Sequence, residues 1–261
     1  MATYVFSDVH GHAAPLERLL ERVQPGEDDR VYCLGDMIDR GPDPVGVIRA
    51  VRAIPNVTVL LGNHEDLMLS SLDHPLDPFA EFDWTRNGGK TTRRGLKELS
   101  HDEREELVAW VRQLPRWASV RVGERLFLLV HAGVDLSVPA PAEWTDETLA
   151  AYMQAQDPDQ LVWIRDDFWG APRGLLGEDG RGPIVVAGHT PTPYMGTYTL
   201  AASPDRPGRN DEGLGQMVRV GAASDRWNID AGAAGGHGFG RLLMLRLDDE
   251  EETYEDIREG E

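Results

Sequence analysis

Asp8 and His10 lie two residues apart, Asp36 and Asp39 lie three apart with Arg40 directly behind them, Asn63 and His64 are adjacent, and His131 and His189 each have a glycine within two residues. These side chains offer carboxylate, imidazole and carboxamide donors and no thiolate. Such a set suits Mn, Fe, Zn or Mg in a working centre better than a structural zinc. Four of the eight histidines belong to it. Turns favour Asp, Asn and Gly but have no need of His, so turn chemistry alone does not explain the set.

Short apolar, β-branched runs must position these groups: Thr3–Ser7, Arg30–Leu34, Val57–Leu61, Arg125–Val130 and Pro183–Ala187. Each reads as a buried strand. Each is followed at once by part of the set: Asp8-Val9-His10-Gly11, Gly35-Asp36-Met37-Ile38-Asp39-Arg40-Gly41, Gly62-Asn63-His64-Glu65, His131-Ala132-Gly133 and Gly188-His189-Thr190. Ligands of open α/β sheets bind beyond the carboxyl ends of strands. Helical spacing at 14–23 and 44–53 between the first three strands gives a βαβ pattern and favours a mostly parallel sheet.

Elsewhere the pattern predicts a helix over 65–72, a longer one from Ser100, capped by Ser100 with Glu103 and ended by Pro115, and a third from Thr145. Segments 171–182 and 201–216 read as loops, and so does glycine-dense 232–240 with His237. His12, His74 and His101 read as solvent-exposed, and Cys33 as buried and inert. One domain over 1–247 is expected, with a helical insertion near 65–118 and a loop insertion near 201–216. Residues 248–261 read as a solvated acidic tail.

The net charge of −19 disfavours nucleic acid and anionic membranes as partners. No apolar run nears the roughly 20 residues that span a bilayer, and the strand-like start has no signal-peptide core, so the expected location is cytoplasmic. A single cysteine leaves no internal disulfide.

In order, the blocks from Asp8 to His189 resemble the signatures of calcineurin-like metallophosphoesterases, closest to the phosphoprotein phosphatase branch. Asn228-Ile229-Asp230-Ala231-Gly232 resembles a later strand of that family. The resemblance implies an α/β fold of four layers, with two mixed β-sheets packed together and flanked by helices. It implies two divalent metal ions, most simply Mn: Asp8 and His10 on the first, Asn63, His131 and His189 on the second, and Asp36 bridging. The nucleophile would be a hydroxide shared by the ions. His64 is assigned as general acid, with Asp39 setting its tautomer and raising its pKa, and Arg40 and Arg165 as phosphate clamps. Ser7 and Ala132 depart from the pattern of many members.

The implied activity is that of a bacterial-type serine/threonine protein phosphatase, acting on a phosphorylated protein or a small phosphoester. The alternative is a symmetrical dinucleoside-polyphosphate (Ap4A) hydrolase, with Phe79, Phe82, Trp84, Arg93 and Arg94 as candidate adenine platforms. A non-catalytic metal-binding scaffold is the third reading.

Overall fold

The computed structural model describes residues 1–199 and 203–261; positions 201 and 202 of the expected loop insertion lie outside the described residues. In chain order the elements are β1 (Thr3–Phe6), α1 (Ala13–Val23), β2 (Arg30–Cys33), α2 (Pro44–Arg52), β3 (Val57–Val59), α3 (Asn63–Asp73), α4 (Pro78–Arg86), α5 (Lys90–Glu98), α6 (His101–Val111), β4 (Trp117–Val122), β5 (Arg125–Val130), α7 (Asp146–Gln154), α8 (Gln160–Trp163), α9 (Asp166–Trp169), β6 (Pro183–Ala187), α10 (Met195–Tyr198), β7 (Val218–Val220), β8 (Arg226–Asn228), β9 (Arg241–Arg246) and β10 (Glu251–Asp256).

The strands form two sheets, ordered β10-β9-β1-β2-β3 and β4-β5-β6-β8-β7. Each has a parallel core, β1-β2-β3 in one and β5-β6-β8 in the other. Antiparallel edges flank both cores, so the sheets are mixed rather than mostly parallel. The βαβ pattern revealed the β1-β2-β3 core. The edges come from hairpins, which that pattern does not report.

Side-chain alternation explains the layering. In β1, Val5 points into the space between the sheets, where it joins Phe127, Leu129, Val186, Trp227 and Leu245. Its neighbours Tyr4 and Phe6 point the other way, to Leu16, Leu19, Val47 and Ile48 of α1 and α2. β5 does the same, sending Phe127 and Leu129 inward while Leu126, Leu128 and Val130 meet α7 and α9. Strands buried on both faces therefore read as unbroken apolar runs.

Local signals set the helix starts. The Asp43 side chain accepts from the Gly46 amide at 2.8 Å, with Pro44 in the first turn of α2. Ser100 and Glu103 cap α6 reciprocally, as their spacing predicts. α4 and α5 escaped the sequence reading because α4 buries only Trp84 and α5 only Thr92 and Leu96.

Two expectations are corrected here. Residues 251–256 of the acidic tail form the edge strand β10 on β9, and arginines of α1 hold its acids. Arg18 Nε reaches Glu255 at 2.6 Å, Arg18 Nη1 reaches Glu261 at 2.7 Å, and Arg22 reaches Glu255 at 2.7 Å. An edge strand pairs on one side only and tolerates charge, which is why its composition imitated a solvated end. His12 is buried rather than exposed, whereas His74 and His101 are exposed.

Candidate metal centre

The turns after β1, β2 and β6 bend through left-handed backbone at residues that are not glycine: Asp8, His10, Asp36, Asp39, Arg40 and His189, with φ between 47° and 69°. Such strain costs about 1–3 kcal/mol per residue and persists only where its surroundings enforce it. The first two turns interlock through Asp8 N to Gly35 O (3.1 Å), His10 N to Asp36 O (2.9 Å) and Gly11 N to Met37 O (2.9 Å). Fully buried Glu65 accepts from the amides of Asp36 (2.9 Å), Met37 (2.8 Å), Ile38 (3.3 Å) and Gly62 (3.0 Å). One carboxylate thus ties the Asp36 turn to the start of α3. At Gly35 a side chain would meet the Gly62 backbone at 2.5 Å, so these turns touch main chain to main chain.

Within this frame the donors converge around Asp36. Its Oδ2 lies 3.5 Å from His10 Nε2 and its Oδ1 lies 3.5 Å from His131 Nε2. His10 Nδ1 donates to the Ile38 carbonyl at 3.1 Å and His131 Nδ1 to the Leu34 carbonyl at 2.8 Å. A carbonyl can only accept, so both rings turn an Nε2 lone pair into the site. Asn63 Oδ1 is 2.9 Å from His131 Nε2 and 2.8 Å from His189 Nδ1. Burial draws the His131 pKa down to about 4, so the ring is neutral and two lone pairs face each other. A cation between them resolves that contact. Asp8 accepts from the His189 amide at 3.0 Å and from the Ser7 hydroxyl at 2.5 Å. Ser7, the departure from the family pattern, thereby fixes the rotamer of Asp8.

Among the described residues, two buried donor groups could hold a metal ion, His10/Asp36/His64 and Asp36/His131/His189, with Asp36 in both. Asp8 Oδ1 lies 3.9 Å from His10 Nε2, at the rim of the first group. Burial pushes the imidazole and carboxylate pKa values in opposite directions. His10 and His189 fall well below the ordinary value, first through burial and then through neighbouring positive or imidazole groups. Asp36 rises well above its ordinary value, through burial and then repulsion by Asp8 and Glu65. A group of dry acceptors with few protons to share is one that divalent cations fit.

The residues 1–215 match the family model described as calcineurin-like phosphoesterase. The chain belongs to the calcineurin-like phosphoesterases. The bis(5'-nucleosyl)-tetraphosphatase, symmetrical, of Erwinia tasmaniensis is 38% identical over 137 residues, covering 51% of this chain and 45% of the relative. The enzyme of the same name from Azotobacter vinelandii is 33% identical over 180 residues, covering 65% and 57%. The chain thus spans about half the length of these curated relatives. A protein serine/threonine phosphatase structure from Saccharomyces cerevisiae superimposes with a TM-score of 0.57 at 15% identity, over 100% of this chain and 81% of that one, which shows the shared fold.

Beside the donor cluster of this phosphoesterase, His64 Nδ1 donates to Asp39 Oδ2 at 2.7 Å. Its Nε2 lies 3.1 Å from Arg40 Nη2, and Arg40 is exposed where its neighbours are buried. Asp39 pushes the His64 pKa upward, as expected, yet burial outweighs it and the net shift is downward. Arg165 Nη1 lies 3.4 Å from the Thr190 hydroxyl, and its charge acts on both His131 and His189.

Sequence reasoning missed the task of several residues that build this site. Glu65 was visible in its block, yet only the fold reveals the four amides it gathers. Trp84 Nε1 donates to both Asp39 oxygens at 3.1 Å, and the Thr92 hydroxyl both binds Asp39 and accepts its amide at 2.9 Å. Asp230 is buried near Asp8, and burial and that neighbour push its pKa well up. The platform candidates fare differently. Trp84 is buried, Arg93 lies over its ring at 4.8 Å, and Arg94 reaches the Pro42 carbonyl. Phe79 and Phe82 are exposed. The exposed aromatic at the centre itself is Trp163, edge-on to His189 at 5.8 Å.

Proposed function

We propose that this phosphoesterase is a two-metal hydrolase that cleaves dinucleoside polyphosphates of the Ap4A type, with manganese as the first metal to test. The observation that carries the metal chemistry is the convergence of Asp36, Asn63, His131 and His189 acceptor atoms with too few protons between them. The substrate reading is supported by the name shared by the Erwinia and Azotobacter relatives and by Trp163, whose exposed ring could stack on a base.

Asp8, His10 and Asp36 would hold one divalent cation, and Asp36, Asn63, His131 and His189 the other. Bound there, the pair supplies Lewis acidity and a nucleophile drawn from water near neutral pH. Arg40 and Arg165 bind the phosphate oxygens as fixed charges set against a negative transition state. His64 delivers a proton to the leaving oxygen from Nε2. Asp39 keeps Nδ1 protonated and stabilises the imidazolium that forms when Nε2 takes up a proton.

The protein-phosphatase reading expected from the sequence stays as the second. The exposed Arg40 beside His64 favours it, because a guanidinium suits a terminal phosphate dianion. Chromatography of an Ap4A digest with added Mn separates the two. Two ADP products support the proposal; intact Ap4A with phosphate released from phosphopeptides replaces it with the second reading.

A further inference from the structure

A cleft of about 500 Å³ opens among α3, α4, α5 and α6, and none of the ten site residues lines it. Its volume falls within the range of small-molecule sites, roughly 300–1,000 Å³. Arg93, Lys97, Arg104 and Arg112 line it against Glu81 and Glu105, an excess of two positive charges in a chain of net charge −19. Arg93 is bound to Glu81 and Arg112 to Asp73. Among the described residues neither Lys97 nor Arg104 has a carboxylate partner, and Arg104 meets only the His101 ring at 3.4 Å. Trp84, Leu96 and Val108 supply apolar wall between these cations.

We propose that this cleft is a second binding site, which takes an organic anion with an aryl or short acyl body, and that Trp84 transmits its occupancy to the His64–Asp39 pair. Charge complementarity selects the anion. The apolar wall requires a body that a bare inorganic anion lacks, and the overall negative charge repels a polyanion. The link is short. Trp84 lines the cleft, its indole N–H bonds both Asp39 oxygens at 3.1 Å, and Asp39 holds His64 at 2.7 Å. Arg93, stacked on Trp84 and tied to Glu81 at 2.6 Å, is the group an incoming anion draws away. Anion binding in this cleft stands apart from the proposed catalysis; only an effect of its occupancy on turnover rests on that reading of His64.

The probe is 1-anilinonaphthalene-8-sulfonate, titrated by fluorescence into the full chain, where saturable binding is expected. In Lys97→Glu/Arg104→Glu the Kd should rise by at least about tenfold, a loss of 1.4 kcal/mol. Val108→Trp, which fills the cleft without altering charge, should raise it likewise and serves if the double variant fails to fold. Absent binding, or wild-type affinity in both folded variants, overturns the site. The indole N–H resonance of Trp84, assigned by its loss in Trp84→Phe, should move on saturation; a fixed resonance with bound probe overturns the link to Asp39. Neither readout needs turnover, so an inactive enzyme would sink the proposed function and leave this result intact.

Discussion

The two sheets contribute to the centre in different ways. The β1-β2-β3 sheet delivers Asn63 from the start of α3, and Asp8, His10 and Asp36 from turns, five of whose non-glycine residues from Asp8 to Arg40 have left-handed backbone. The β5-β6-β8 sheet delivers His131 and His189 at its strand ends, and only His189 shares that strain. One half is oxygen-rich and mostly forced; the other is all imidazole, with one of its two residues relaxed. Carboxylates packed close enough to share cations repel each other, as Asp8 and Asp36 do. Only an interlocked frame keeps them there, and the Glu65 clamp with the crossed amides of the first two turns is that frame. Neutral imidazoles repel little and need only a carbonyl, as His131 has in Leu34.

The comparison breaks most sharply at Asp36, the one side chain in both donor groups. Asp36→Asn should take turnover below detection and empty both metal positions, whereas His131→Ala should empty one. Elemental analysis after gel filtration reads the difference. Equal metal content in the two variants would mean that the halves are not divided around Asp36. Next in size is His64→Asn, which leaves the six proposed ligands Asp8, His10, Asp36, Asn63, His131 and His189 in place. Its kcat should fall by about 10²–10⁴ with metal content unchanged. An unaltered kcat would remove His64 from proton transfer.

The strained half should also be the costly one to loosen. Glu65→Gln keeps shape but places a donor among four amides, leaving one or more of them unpaired in a dry site. A loss of about 1–3 kcal/mol is expected, read as a lower midpoint in urea. A wild-type midpoint would show that the turns hold themselves.

How much of this was legible beforehand follows the same division. Strand ends and the residues after them were readable, because a doubly buried strand is an apolar run and a histidine after it is not turn chemistry. The bounds of β5 and β6 agree with the reading to the residue. What was hidden depends on contacts distant in sequence. β10 pairs through its backbone and betrays nothing in its acidic composition. Trp84 and Thr92 sit 45 and 53 residues from the Asp39 they hold, so no spacing rule links them. His12 is buried with Ala233 and Glu261, both distant in sequence, beside it. Trp163, to which the sequence reading gave no role, is the exposed last residue of α8.

The smallest effect sharpens the comparison most, since it asks whether α5 reaches into the strained half to serve chemistry or only packing. Thr92 makes two bonds to one residue, accepting the Asp39 amide at 2.9 Å and donating from its hydroxyl to Oδ1. Thr92→Val keeps the volume and removes both. A hydrogen bond is worth about 0.5–1.5 kcal/mol net, so if Asp39 must be held to orient His64, kcat should fall by roughly 2- to 10-fold. KM should hold, because Thr92 touches neither Arg40 nor Arg165. A merely structural Thr92 would lower the melting midpoint and leave kcat untouched. Restoring the hydroxyl with Thr92→Ser should then recover kcat ahead of stability, since the lost methyl group matters to packing and not to Asp39.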